Sequence, residues 1–425
     1  MGPSKISHHD ARQVCTLAAA ALCAILLLAP AARGDTTSSH VDRDPTGAPY
    51  VPGQLLIAYE PGTSTEAEEA VVRGAGGRTV ENVTGEIRLA SFPHIKREKS
   101  QKIRQRALQR KLKDLGDSPH VEAADYNYIR DASFVPNDPR FGAKVGDPGQ
   151  WGLRKATFPG AWNDTKGAGA TIAIVDSGID QDHPDLGKIL AQHDFVEDDA
   201  VADDRNGHGT HVAGIAGALT NNGRGVAGGC PGCKLIVVKV IDANGKATDS
   251  DVISGINWSV NKTNDADVVN LSFGSGARSG FLADAINAAY AKGNGAVVVA
   301  AAGNEGTATR QYPAACDAAI AVSATNASDR LASFSSHGSW SDLWVDLAAP
   351  GTNILSTRLG GGYYELSGTS QAAPFVSALA GLLASEGKTA YGIRQRMQNT
   401  ATDLGSSGKD PSYGYGRINA NAAVP

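Results

Sequence analysis

Between Thr171 and Val322 the chain repeats one pattern: a short, predominantly apolar run, then a stretch with helical spacing. The runs are Thr171–Val175, Leu235–Val240, Val268–Leu271, Val297–Ala301 and Ile320–Val322. None alternates polar and apolar residues as a strand with one wet face would. Between them, Asp251–Thr263 and Leu282–Lys292 carry apolar residues at the spacing of a helix face. Strands buried on both faces and joined by helices require a mostly parallel sheet covered on both sides. In such sheets function gathers at the carboxyl ends of the strands. This α/β region begins near Phe134, where the composition shifts to Gly, Ala, Val and Asn. The 50 glycines of the chain predict many tight turns.

The preceding residues divide into three parts. Lys5 and Arg12 lead into an apolar run from Val14 to Leu28, and Ala29-Pro30-Ala31 follows with small residues. Residues 1–34 therefore read as a secretory signal peptide, cut within 31–34, which places the product outside the cell. No second apolar span follows, so stable membrane association is not expected. Residues 35–50 read as a polar linker. Residues 51–133 read as a small α+β unit with strands at Gln54–Tyr59 and Gly85–Phe92 and a helix over Ser64–Gly74. Its Lys/Arg-rich stretch from Lys96 to Lys113 carries Ile103, Ala107, Leu108, Leu112 and Leu115 at helical spacing. That is an amphipathic helix with a solvated basic face. Aromatic interleaving is absent and the net charge is -5, so nucleic acid is excluded as a partner.

Of five cysteines, Cys15 and Cys23 leave with the signal. Cys230-Pro231-Gly232-Cys233 reads as a disulfide-closed turn, with a redox or metal half-site as the alternative. No second pair completes a zinc set. Cys316 is a lone buried thiol.

Four glycine-rich segments carry the chemistry. Val175-Asp176-Ser177-Gly178 places an acid at the end of a strand, where it serves catalysis or caps a turn. Asn206-Gly207-His208-Gly209-Thr210-His211 holds two histidines whose spacing alone is weak evidence for zinc. Ala300-Ala301-Ala302-Gly303-Asn304-Glu305-Gly306 ends a strand on an amide. Ser367-Gly368-Thr369-Ser370-Gln371-Ala372-Ala373-Pro374 precedes an apolar helical run. Ser370 reads either as the helix N-cap or as a reactive group at a helix start. Pro374 is expected in the first turn, where proline is tolerated. Together an acid, a histidine, an amide donor and a serine are the parts of nucleophilic acyl transfer.

These motifs, with Pro136-Asn137-Asp138-Pro139 and His183-Pro184-Asp185-Leu186, resemble the subtilisin-like serine protease (subtilase) family, its thermitase-type members most. The resemblance runs from Pro136 to the C-terminus. It implies a three-layer αβα catalytic domain over residues 134–425. It implies that Asp176 orients His208, that His208 is the general base, and that Ser370 attacks the scissile carbonyl. Asn304 and the Ser370 N–H form the oxyanion hole, and His211 is structural. The substrate backbone lies along Ser272, Phe273 and Gly274, with Ala301, Ala302 and Gly303 as the opposite wall. Broad specificity with an apolar residue before the cut bond is expected, with Asp249 near a distal pocket. Structural calcium is implied at Asp138, Asp185 and Asn222 with backbone oxygens of Thr220, Arg224 and Val226. A second calcium is implied at Asp194, Asp199 and Asp203, near Glu197. Residues 51–133 resemble a propeptide of the inhibitor and chaperone type, removed autocatalytically at about 129–136. The expected product is a monomeric endopeptidase acting on proteins and peptides. Gln371 departs from the methionine common after the nucleophile in this family.

Overall fold

The apolar runs become interior strands of a single parallel sheet. The computed structural model describes residues 42–44, 49–129, 134–142, 149–187 and 189–424. The signal segment, Cys15, Cys23, most of the linker and part of the expected maturation stretch lie outside these residues. The chain forms two compact units, divided between residues 130 and 131.

The N-terminal unit has five strands: β1 (Asp42–Arg43), β2 (Pro49–Tyr59), β3 (Arg78–Thr84), β4 (Ile87–Ser91) and β5 (Val121–Tyr128). All pairings are antiparallel, in the order β1-β2-β4-β3 with β5 also on β2. Alternate residues of β2, namely Leu55, Ile57 and Tyr59, enter the core with Val72, Leu108, Leu115 and Tyr126. Helix Thr65–Gly74 is capped by Ser64, whose hydroxyl accepts from the Ala67 N–H. The basic stretch forms helix Gln101–Gly116, but in a different rotation from the sequence reading. Ile103 is 52% exposed, and Arg104 takes the buried face with Leu108 and Leu115. The Arg104 guanidinium is paired with the fully buried Asp42, its Nε donating to Oδ2 at 2.7 Å. The residues read as linker thus include a buried carboxylate that compensates a buried arginine.

The second unit holds β6 (Thr171–Asp176), β7 (Ile189–Asp194), β8 (Lys234–Lys239), β9 (Val268–Leu271), β10 (Val297–Ala301), β11 (Ala319–Thr325) and β12 (Leu347–Pro350). They pair in parallel in the order β12-β11-β10-β9-β6-β8-β7. Successive residues of each strand face opposite cores. Ile172, Ile174, Leu235, Val237 and Val299 meet helices His208–Gly217 and Thr369–Ala384 on one side. Ala173, Val175, Ile236, Val238 and Val298 meet helices Asp249–Ser259 and Gly280–Tyr290 on the other. This is the expected three-layer αβα arrangement. Strand β6 has β8 and β7 on one side and β9 to β12 on the other. Connections therefore diverge at its carboxyl end, which opens a crevice there. A hairpin of β13 (Ile354–Thr357) and β14 (Tyr363–Leu366) lies outside the sheet.

Cys230 and Cys233 are joined by a disulfide, with Cα atoms 5.4 Å apart. Both are fully buried, and Cys316 is a buried free thiol. Among the described residues no helix is long and apolar enough to cross a membrane.

Candidate active site

Asp176 is the last residue of β6 and is fully buried. Its Oδ1 accepts from His208 Nδ1 at 2.7 Å and from the Ser177 N–H at 2.8 Å. His208 opens helix His208–Gly217, after Gly207 in the left-handed region at φ 99°. Gly209 permits a close approach here: a Cβ would lie 2.2 Å from the Gly178 carbonyl oxygen. A side chain at 209 would hold the histidine-bearing helix off the aspartate-bearing turn.

A carboxylate that the sequence reading passed over ties these segments together. Asp204 Oδ1 accepts from Ser177 Oγ at 2.8 Å, the Asn206 N–H at 2.9 Å and the Gly207 N–H at 2.8 Å. Its Oδ2 accepts from the Thr210 N–H at 2.9 Å and Thr210 Oγ1 at 2.5 Å. Ser177 Oγ in turn accepts from the Gly209 N–H at 2.9 Å. The available signal was an Asp placed before Asn-Gly at a helix start, a site that can satisfy exposed helix N–H groups.

Burial disfavours charge on His208, but the charge and hydrogen bond of Asp176, then the charge of Asp204, outweigh it. The imidazole is held above its ordinary value. His211 is different: fully buried, with Nε2 3.3 Å from the Tyr364 carbonyl oxygen. Burial pushes it down to about 4, so it is neutral at pH 7.

Ser370 is not the helix cap. Gly368 occupies that position, and Ser370 is the second residue of helix Thr369–Ala384. Pro374 is the sixth, beyond the first turn where it was expected. The Ser370 hydroxyl donates to the Ser272 carbonyl at 2.7 Å, and no His208–Ser370 hydrogen bond is present among the described residues. Asn304 lies three residues beyond the end of β10 and is exposed. Its Oδ1 accepts from the Thr369 N–H at 2.8 Å and Thr369 Oγ1 at 3.0 Å. With the oxygen committed, Nδ2 is left as the outward donor, 3.4 Å from where a Cβ of Gly368 would stand.

Asp176 thus ends β6, and Ser272 and Asn304 follow β9 and β10, three neighbouring strands, at the same end of the sheet. Ser370 and Thr369 are bonded to the last two of these. A carboxylate–imidazole pair, a hydroxyl and converging N–H donors can together take up a proton and hold a developing oxyanion. Ser272 continues β9 into Phe273 and the exposed Gly274, while Ala301 ends β10 and Ala302 and Gly303 follow it. Ala301 and Ala302 are buried, so they offer backbone rather than side chains. A Cβ on Gly303 would lie 2.6 Å from Glu305 Oε2. Asp249 is exposed at the start of its helix.

The expected metal ligands fall into two places. Asp138 and Asp185 are both buried. Burial, with the charge of Asp185 adding to it, raises the Asp138 carboxyl. Asp185 accepts from Asn222 Nδ2 at 2.7 Å and the Val226 N–H at 2.8 Å, and Asn222 Oδ1 accepts from the Arg224 N–H. Thr220 Oγ1 accepts from the Gly228 N–H in the same loop. Separately, carboxylates of Asp194, Glu197 and Asp199 lie within 4.8 Å of one another. Asp203 is not part of that group, and its backbone bridges to Ile179 instead. The buried Lys239 ammonium pairs with Asp194 at 2.7 Å and Glu197 at 2.8 Å. Oxygen-rich sets of this kind suit a hard cation such as calcium.

Comparison with known proteins places this geometry in context. A Subtilase family model matches residues 167–416. The chain is 37% identical over 393 residues to the thermophilic serine proteinase of Bacillus sp. (strain AK1), covering 91% of each chain. It is 44% identical over 292 residues to thermitase of Thermoactinomyces vulgaris, covering 68% of this chain and 99% of that one. Among solved structures, a protease from Pseudoalteromonas arctica PAMC 21717 matches with a TM-score of 0.62 and 31% identity, over 68% of this chain and 99% of that one.

Proposed function

The chain belongs to the subtilase family and is a subtilisin-like serine endopeptidase; on that premise we propose that it is a secreted zymogen cutting peptide bonds through Asp176, His208 and Ser370. The observation that carries this reading is the 2.7 Å bond between Asp176 and His208, at the sheet end where Ser370 and Asn304 stand. Asp176 holds the proton on Nδ1, which leaves Nε2 as the base. Ser370 Oγ turns from the Ser272 carbonyl, yields its proton to Nε2 and bonds the substrate carbonyl carbon. The negative oxygen is received by Asn304 Nδ2 and the Ser370 N–H. His208 then protonates the leaving amine, and water releases the acyl group by the same steps in reverse. His208 must be neutral to act as base, so kcat/KM falls as pH drops through its raised value.

Substrate is bound as an extended strand along Ser272–Gly274 and Ala301–Gly303. Backbone pairing of this kind supports broad specificity with an apolar residue before the cut bond. Basic residues are favoured at a distal position by Asp249. Calcium at Asp138, Asp185 and Asn222, and at Asp194, Glu197 and Asp199, stabilises the fold rather than taking part in catalysis. Residues 1–34 direct export, and residues 51–133 act as an intramolecular inhibitor and folding aid removed at about 129–136. The mature enzyme is an extracellular monomer.

Paired expression of wild type and Ser370→Ala, with intact mass and casein hydrolysis, tests the proposal. Wild type is expected to lose its N-terminal unit and cut casein, and the variant to do neither. A wild-type chain that stays full-length and inert with calcium supplied would sink the zymogen reading.

A further inference from the structure

Pro374 lies inside the helix, four residues after Ser370. In an α-helix the N–H of residue 374 bonds the carbonyl of residue 370. Proline has no N–H, so the Ser370 carbonyl lacks its helical donor. A side chain from β9's end replaces it: Ser272 Oγ donates to the Ser370 carbonyl at 3.0 Å. Asn270 Nδ2 donates to Ser272 Oγ at 2.9 Å, so the single Ser272 proton is committed to Ser370. Ser377 Oγ, on the same helix, donates to Asn270 Oδ1 at 2.8 Å and decides which end of the amide faces Ser272. Ser370 Oγ closes the circuit by donating to the Ser272 carbonyl at 2.7 Å.

None of Asn270, Ser272 and Ser377 is more than 1% exposed. Asn270 sits in the middle of the parallel sheet, paired with Ile174 on one side and Val299 on the other. Its amide is costly in such surroundings unless both ends are satisfied. Both ends are satisfied here, and the chain of donors runs one way and terminates on Ser370. Without a donor at that carbonyl, the helical turn before a proline is free to open.

We propose that Asn270, Ser272 and Ser377 are positioning residues, forming a one-way hydrogen-bond chain that supplies the donor Pro374 withholds and so fixes Ser370 against β9. The inference rests on Ser370 being the nucleophile. It assigns the Ser272 side chain a task separate from its backbone, which lies along the substrate.

The test compares Ser272→Ala, Pro374→Ala and the double variant as mature enzymes on a peptide substrate. Ser272→Ala is expected to lower kcat about tenfold or more with KM within about twofold, because a buried acceptor is left unsatisfied beside the reacting group. Pro374→Ala returns an N–H to the helix, so the double variant is expected to regain most of the lost kcat. A raised KM at unchanged kcat, or a double variant no better than Ser272→Ala, overturns the proposal. If Pro374→Ala does not fold, Ser377→Ala decides. Its loss of kcat should vanish in the Ser272→Ala background, and additive losses refute the chain. Ser370→Ala separates the two readings. Activity surviving in it removes the nucleophile assignment, whereas an inert Ser370→Ala beside a fully active Ser272→Ala removes only the positioning chain.

Discussion

Replacing both disulfide cysteines by alanine (Cys230→Ala with Cys233→Ala) should lower Tm by roughly 6 °C, from two separable contributions. The bridge spans a sequence separation of 3. Closing so short a loop removes little unfolded-state entropy, about 2 kcal/mol at 25 °C against about 4.7 for a hundred-residue loop. The second contribution is packing. A Cβ at Gly167 would lie 2.1 Å from Cys230 Sγ, and one at Gly381 would lie 2.7 Å from Cys233 Sγ. The sulfurs therefore fill the space between the turn before β6 and helix Thr369–Ala384. Deleting each resembles removing a buried methylene, about 1 kcal/mol apiece. The sum is about 4 kcal/mol, against an unfolding entropy of about 0.6 kcal/mol per degree for a unit spanning residues 131–425. Calorimetry in a Ser370→Ala background avoids self-digestion. Intact protein should keep its Tm in reductant, since both sulfurs are fully buried. A fall of less than about 2 °C, too small even for the loop entropy, would refute the reasoning.

Three further outcomes follow from the site. His211 is pushed down to about 4 by burial, while in the unfolded chain it titrates near 6.5. The unfolded state therefore binds a proton that the native state refuses, so stability falls on acidification across that window, by about 3 kcal/mol in full. His211→Gln should flatten that part of the Tm–pH profile; identical slopes in both proteins would count against it. Gln371 is buried next to Ser370 and carries no thioether. Wild type should outlast Gln371→Met in peroxide, and equal inactivation rates would contradict this. Removing calcium with a chelator should lower Tm, because Asp138 and Asp185 then remain as two buried carboxylates without a cation. Under the proposed assignment a bound ion at about 100 times its Kd contributes about 2.7 kcal/mol. An unchanged Tm would remove both calcium sites.

In the second unit the strands read as apolar runs are dry on both faces, whereas β2 and β4 of the N-terminal unit, with one face partly exposed, are legible by other signals. Strand β7 escaped because it is an edge strand: Gln192 and His193 are only partly buried, so its residues do not form an apolar run. Lys239 was accepted inside an apolar run, and it is buried there because Asp194 and Glu197 reach it from the neighbouring strand and the loop that follows. That partnership depends on a strand order no local pattern contains. Asp204 escaped for another reason. Much of its work is done on backbone N–H groups, which look alike in any sequence. Asn270 did leave a trace, as a polar residue in a run read as a buried strand, and a buried amide requires partners. Which serines satisfy it follows only from helix register. The sequence reading put Ser370 at the helix start, as cap or reactive group, and Pro374 in the first turn. The helix begins at Thr369, and its cap, Gly368, lies two positions before Ser370. Shifts of one or two residues at a helix end are ordinarily harmless. Here residue 374 is the helical donor to the Ser370 carbonyl in either register, so the proline strips that bond, and the missing donor makes sense of three buried polar side chains that otherwise weaken an apolar core.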